Sequence, residues 1–132
     1  MKTILFAATL LFAGSVFAQV PSDLKSIQLC NLGHANETVE VSIDKLTLNI
    51  KATAGAQVQT HTSEIQKIIV ATQGELSEIE TKAKLNEKLS AAVVYNHVDG
   101  IDIIAKDTTG KKYLLQSIGT LVVLIATSDS CK

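Results

Sequence analysis

The sequence predicts a mainly β fold, a small antiparallel barrel or sandwich of meander hairpins closed by one disulfide. Three observations predict it. Apolar and polar residues alternate with opposite parity on either side of Asp44-Lys45. Turn signals at Asp99-Gly100 and Asp107–Gly110 divide residues 88–127 into strand-length runs. Cys30 and Cys131 stand near opposite ends of the chain. The alternative is an α+β fold with one helix near 78–90 packed on the sheet.

Residues 1–18 read as a secretory signal peptide. Met1-Lys2-Thr3 is a short basic start, Ile4 to Phe12 is nearly all apolar, and Val16-Phe17-Ala18 is a small-x-small cleavage pattern. The apolar run is too short for a spanning helix. Residues 19–132 then form a single exported β-rich domain, secreted or periplasmic. All three phenylalanines and the one methionine fall within residues 1–18. The remaining core is built from Val, Ile, Leu and Ala, with Tyr95 and Tyr113 the aromatics.

Val20-Pro21-Ser22-Asp23 reads as an extended leader, and Ser26 to Leu32 as the first strand. A two-residue turn at Asp44-Lys45 places Ile43 opposite Leu46, Val41 opposite Leu48 and Val39 opposite Ile50. Six apolar side chains then share one hairpin face. Gly55 to Ser63 is polar and suits either a solvent-facing sheet edge or a long loop. Ile65 to Ala71 leans to strand through the β-branching of Ile68-Ile69-Val70.

Residues 75–90 carry conflicting signals. Ser77 with Glu80 forms a capping box, and Glu78–Lys82 and Glu80–Lys84 are spaced for helical ion pairs. Ile79, Thr81, Ala83 and Leu85, however, alternate with polar residues at the period of a strand. The alternation and the neighbouring meander favour strand. Farther on, Asp99-Gly100 joins two strands, and Asp107-Thr108-Thr109-Gly110 suits a three-residue hairpin loop with a left-handed glycine. Pairing 107 with 111 sets Ala105 opposite Tyr113 and Ile103 opposite Leu115. The last run, Leu121 to Ala126, is apolar on both faces, so it is central or covered on both sides.

Composition narrows function by subtraction. The chain has twelve basic residues, all lysine, against thirteen acidic ones. Without arginine it lacks the bidentate donor on which phosphate and guanine recognition rely, so nucleic acid is a poor partner. Two tyrosines offer little stacking surface for single strands. A membrane-spanning barrel would need aromatic girdles. In an oxidising compartment the two cysteines pair as Cys30–Cys131. Closing a loop of about 100 residues contributes on the order of 4–5 kcal/mol in the chain-entropy model.

The candidate chemistry is sparse. His34, His61 and His97 fall in different segments, and no spacing brings two of them onto one local face as a zinc site needs. Glu75–Glu80 reads as a solvated face. Asp99 and Asp107 are explained as turn residues and Asp102 as mid-strand, without a calcium loop. His61-Thr62-Ser63 is the one place where a hydroxyl neighbours a histidine, and no nucleophile motif surrounds it. Asn36-Glu37-Thr38 is a glycosylation sequon in a loop. No catalytic residue, metal site or cofactor is expected. The expectation is a small non-enzymatic binding module that engages a protein partner; the alternative is a barrel carrying an apolar small molecule.

Overall fold

The computed structural model describes residues 20–31 and 37–130. The signal-peptide segment, His34, Asn36 of the sequon and Cys131 lie outside these residues. Eight antiparallel strands follow one another in chain order around a closed barrel. They are β1 (Ser26–Asn31), β2 (Glu37–Asp44), β3 (Thr47–Ala54), β4 (Gln57–Val70), β5 (Leu89–His97), β6 (Gly100–Asp107), β7 (Lys112–Ile118) and β8 (Leu121–Thr127). Helix α1 (Gln73–Ala83) bridges β4 and β5. The barrel form of the predicted fold is the one adopted. β8 returns to β1 through two residue pairs, Cys30 with Thr127 and Asn31 with Ala126. Among the described residues, no helix is long and apolar enough to cross a membrane.

The strands fall into two groups by what they bury. β1 and β2 follow the one-sided rule of period two, with Ile27, Leu29, Val39 and Val41 buried. These meet Leu48, Ile65, Val93, Tyr95, Ile104, Leu114 and Ala126 in the barrel interior. β5, β6 and β7 are apolar on both faces. Their outward residues Ala92, Ile103, Ala105, Tyr113 and Leu115 pack under Leu76 and Ile79 of α1. Continuous runs such as Ile103-Ile104-Ala105 therefore have one face inside the barrel and one beneath the helix. Burying Leu76 and Ile79 contributes roughly 1.5–3 kcal/mol each.

Three local expectations are corrected. Residues 73–83 are helical, where strand alternation had been favoured. The helix starts one turn earlier than the Ser77 box. Thr72 Oγ1 accepts from the Glu75 amide, and Glu75 returns a carboxylate to the Thr72 amide, a capping box. Leu76, Ile79 and Ala83 fall on one helical face over the sheet, the Glu78–Lys82 pair forms at 3.0 Å, and Lys84 ends the helix in the left-handed region at φ 57. Glu80 Oε2 accepts from the Leu89 amide at 2.7 Å, tying the helix to the start of β5. Helix propensity prevails because the outer face of β5–β8 is apolar and needs a cover.

The second correction is register. The β2–β3 turn is Lys45-Leu46, with Ile43 opposite Leu48 and Val41 opposite Ile50. Lys45 adopts φ 58, and Leu46 is exposed. The β5–β6 turn is Val98-Asp99, and Gly100 pairs with His97. Gly100 has φ 146, where L side chains rarely sit, so the glycine belongs at the strand start. Each shift moves a partner by two residues, so the strand side chains keep the predicted faces, while Leu46, expected on the apolar face, falls in the turn. The β6–β7 hairpin matches its predicted register, Ala105 with Tyr113 and Ile103 with Leu115.

Third, Val20 to Asp23 is not an extended leader. Ser22–Leu24 forms a 3-10 turn, and Val20 and Leu24 are buried in the interior cluster. Asp23 bonds Lys106 at 2.7 Å, and Ile43 donates its amide to the Lys25 carbonyl. This segment stoppers the barrel end that carries the β2–β3 and β6–β7 turns.

At that closed end Asp107 is almost wholly buried. Its Oδ1 accepts from the Thr109 amide, the Thr109 hydroxyl and the Lys111 amide, and its Oδ2 from Tyr113 Oη at 2.7 Å. Burial opposes ionisation, yet the bonds from Thr109, Tyr113 and Lys111 outweigh it and hold the carboxyl below its usual range. Burial first, then the Asp107 contact, pushes the Tyr113 phenol well up. Because the folded carboxyl is the stronger acid, the ionised form favours the fold. That contribution is complete above about pH 4 and is lost as pH falls through the lowered folded value. Asp107→Asn is expected to lose about 1–3 kcal/mol at neutral pH and to flatten the acid limb of stability. Urea unfolding of both proteins across an acidic pH series measures both effects.

Candidate functional site

In an up-and-down antiparallel barrel, alternate turns share an end. The β3–β4, β5–β6 and β7–β8 turns lie together at the end opposite the stopper, here called the mouth. Two polar clusters and most of the exposed apolar side chains gather there.

β4 is the longest strand, and the two halves of its ladder differ. Gln57 to Glu64 pair with β3, while β5 joins only from Ile65, opposite His97. Among the described residues, the first half of β4 therefore has a ladder partner on one side only. This polar stretch, left open in the sequence as edge or loop, is a sheet edge. The last bond before the edge opens runs from the Val98 amide to the Glu64 carbonyl. Asp99, in the turn just beyond His97, thereby comes beside Ser63.

The three side chains meet closely. Ser63 Oγ donates to Asp99 Oδ2 at 2.7 Å. His61 Nε2 lies 3.1 Å from both Asp99 Oδ2 and Ser63 Oγ. Ser63 is buried, whereas the side chains of His61 and Asp99 are more than half exposed. The Ser63 bond, followed in smaller part by the His61 contacts, holds the Asp99 carboxyl below the usual carboxylate range despite an opposing desolvation effect.

This is not the arrangement of an activated serine. In a catalytic triad the carboxylate holds Nδ1, so that Nε2 is left as the base facing the hydroxyl. Here carboxylate and hydroxyl meet the same nitrogen. Since Ser63 gives its hydrogen to Asp99, His61 Nε2 faces two acceptors and carries the proton itself. A nitrogen that holds a hydrogen cannot take one from serine.

The second cluster is buried. His97 Nε2 and Asp102 Oδ2 are 2.7 Å apart, and each side chain is about 5% exposed or less. The Asp99 amide donates to His97 Nδ1 at 3.2 Å. Nδ1 must therefore present a lone pair, and Nε2 carries the hydrogen that goes to Asp102. The pair borders a small depression of about 100 Å³, also lined by Asp99, Gln116 and Ile118. A broader, open depression of about 450 Å³ lies over Ile50, Ala52, Gln59, Thr60 and His61.

Two of the three histidines thus reach carboxylates, which no local spacing had indicated. His61 and Ser63 share a strand face two residues apart, and β4–β5 pairing brings the Asp99 turn to them. The His61-x-Ser63 alternation was the available signal, but only the pairing identifies its partner. Among the described residues, no group of three His, Cys, Asp or Glu side chains is placed to hold a metal ion. Cys30 is buried on β1 opposite Thr127; its predicted pairing with Cys131 falls outside the described residues. Glu75 and Glu80 serve the helix, as described above.

The apolar residues complete the mouth. Seven large hydrophobic residues are exposed among those described. Leu46 sits at the closed end. Val58, Val98, Ile101, Ile118, Leu121 and Val123 all flank the three mouth turns. Ile118 and Leu121 face each other across the β7–β8 hairpin and are 56% and 63% exposed. Val122 and Leu124 of the same strand pack on the helix-covered side, so the last strand is covered on one face along only part of its length.

The fold and site together define an eight-stranded up-and-down barrel, stoppered at one end and rimmed with apolar and hydrogen-bonded polar side chains at the other. No protein-family model, curated protein or solved structure matches the chain.

Ser63→Ala removes the hydrogen bond that contributes most to lowering the Asp99 carboxyl. The Asp99 titration followed by carbon NMR is expected to move upward toward the ordinary carboxylate value. A fluorophosphonate serine reagent is expected to leave Ser63 of the unsubstituted protein unlabelled.

Proposed function

We propose that this protein is an exported, non-enzymatic binding module that engages a protein partner through the barrel mouth. The observation that carries this reading is the gathering of six exposed large hydrophobics at one end. Single exposed apolar residues are ordinary, but a concentration of them marks an interaction surface. Two strand edges reinforce it. Among the described residues, Gln57 to Glu64 of β4 and Leu121 to Leu124 of β8 each have a ladder partner on one side only. Such edges can accept a strand from another chain.

Carriage of an apolar small molecule has less support. The interior positions of a barrel this size can be filled by side chains, and here Val20 and Leu24 add to the buried interior cluster. Export, with a Cys30–Cys131 disulfide, fits the leader-like first residues and the placement of Cys30. Cys30 stands opposite Thr127, four residues before Cys131, at the short seam that closes the barrel.

Ile118→Asp/Leu121→Asp is expected to weaken partner capture by roughly thirtyfold or more, the loss of a central contact, with an unchanged circular dichroism spectrum. Leu46→Asp, at the closed end, is expected to bind as the unsubstituted protein does. Quantitative pull-down from the extracellular or periplasmic fraction compares the three, and equal retention of partner by all of them overturns the reading. In the exported protein, alkylation followed by mass spectrometry is expected to modify neither cysteine before reduction and both after it.

A further inference from the structure

We infer that the Val98-Asp99 turn is a proton-operated latch, held shut by neutral His97 and released when that ring takes up a second proton. The two ring nitrogens of His97 face different partners. Nε2 donates to Asp102 Oδ2, and Nδ1 accepts from the Asp99 amide. A second proton can only go to Nδ1, where it meets an N–H already directed at that nitrogen.

Geometry decides which contact yields. Asp102 and the ring become a charge-assisted pair on protonation, and such bonds are about twice as strong as neutral ones. The Asp102 contact is therefore kept, and the Asp99 amide turns away. The groups around the ring favour this outcome. β6 presents the Asp102 carboxylate, the turn presents the Asp99 carboxylate, and β4 presents His61 through Asp99. Glu64 of β4 is exposed and offers its carbonyl to Val98. β7 contributes uncharged Gln116 beside the pair, and Tyr95, on the same face of β5, is kept a neutral phenol by burial.

The consequence reaches β4. Asp99 is the partner of both Ser63 and His61, and the Val98 amide makes the last bond to β4 before its edge opens. Release of the turn loosens all of these contacts at the mouth. That the latch regulates partner binding rests on the proposed role of the mouth. The latch itself does not.

The test is amide hydrogen exchange at Asp99 and Val98, with nitrogen NMR of the imidazoles, between about pH 8 and about pH 5, the span over which histidine changes charge. After correction for intrinsic exchange, Asp99 protection is expected to fall roughly tenfold at the acid end, the loss of one hydrogen bond. The His97 ring is expected to show the Nε2–H tautomer at the alkaline end. His97→Gln, which does not titrate, is expected to abolish the pH response, and His61→Gln to retain it. Should His97→Gln fail to fold, Asp102→Asn serves, since losing the carboxylate removes the charge-assisted partner of the ring and is expected to change the response. Flat protection in the unsubstituted protein overturns the latch. So does a response that survives His97→Gln, one that disappears with His61→Gln, or one unmoved by Asp102→Asn. If the response persists in Ile118→Asp/Leu121→Asp while partner capture by that variant is undiminished, the latch stands and the mouth's binding role falls.

Discussion

The barrel depends on the seam between its first and last strands. Seven of the eight strand pairings are extended ladders between chain neighbours, joined by short loops except for the helical connection between β4 and β5. The eighth, between β1 and β8, joins residues almost a hundred positions apart, through two residue pairs among the described residues. Closing so long a loop costs more chain entropy than any hairpin, and two ladder pairs offset little of it. The seam is reinforced from inside, where Leu29 and Ala126 are wholly buried. Beyond it, Thr127 bonds Asp129, and the Lys112 amide donates to Ser128. A covalent link between Cys30 and Cys131 would hold this long-range seam, at which Cys30 stands opposite Thr127.

From that closure follows an asymmetry between the two ends. The closed end is finished by the N-terminal segment, whose Val20 and Leu24 enter the core, and by Asp107, whose carboxylate saturates the β6–β7 loop with four hydrogen bonds. The mouth has no such stopper among the described residues. β4 outruns β5, and among the described residues β8 meets β1 at its last two residues, so strand edges and apolar side chains lie at the surface there. The polar residues of the mouth are ordered by one another. A backbone amide fixes the His97 tautomer, and a buried serine fixes the Asp99 carboxylate. Such ordering of a turn by a titratable ring ties local structure to proton concentration.

Particular residues show where sequence logic succeeds and where it stops. The β6–β7 hairpin was legible because Asp107, Thr109 and Gly110 specify its loop locally; Gly110 does take a positive φ, of 96. The β2–β3 and β5–β6 turns were each displaced by one residue. Apart from Leu46, which falls in the turn, their side-chain faces were still correct, because alternation fixes parity and the turn residue only selects among registers of equal parity. The helix was misassigned since Ile79, Thr81, Ala83 and Leu85 satisfy both periods. What separates the two is the apolar outer face of β5–β8, which no local window contains. Of the polar cluster, His61 and Ser63 were visible as neighbours, but Asp99 was fully accounted for as a turn residue.

The sequence by itself determined the class of fold, through period-two alternation, punctuation by Gly and Asp, and a core stock of Val, Ile, Leu and Ala. The lack of arginine also argued against bidentate gripping of phosphates, since a residue type absent from the chain cannot be supplied by folding. Only the tertiary structure decided that the sheet closes into a barrel, that a helix covers one side, and that His61, Ser63, Asp99, His97 and Asp102 converge at one end. The physical reason is the range of the interactions. Alternation and turn propensity act within a few residues, whereas strand pairing joins positions such as 63 and 99, whose partnership depends on every register between them.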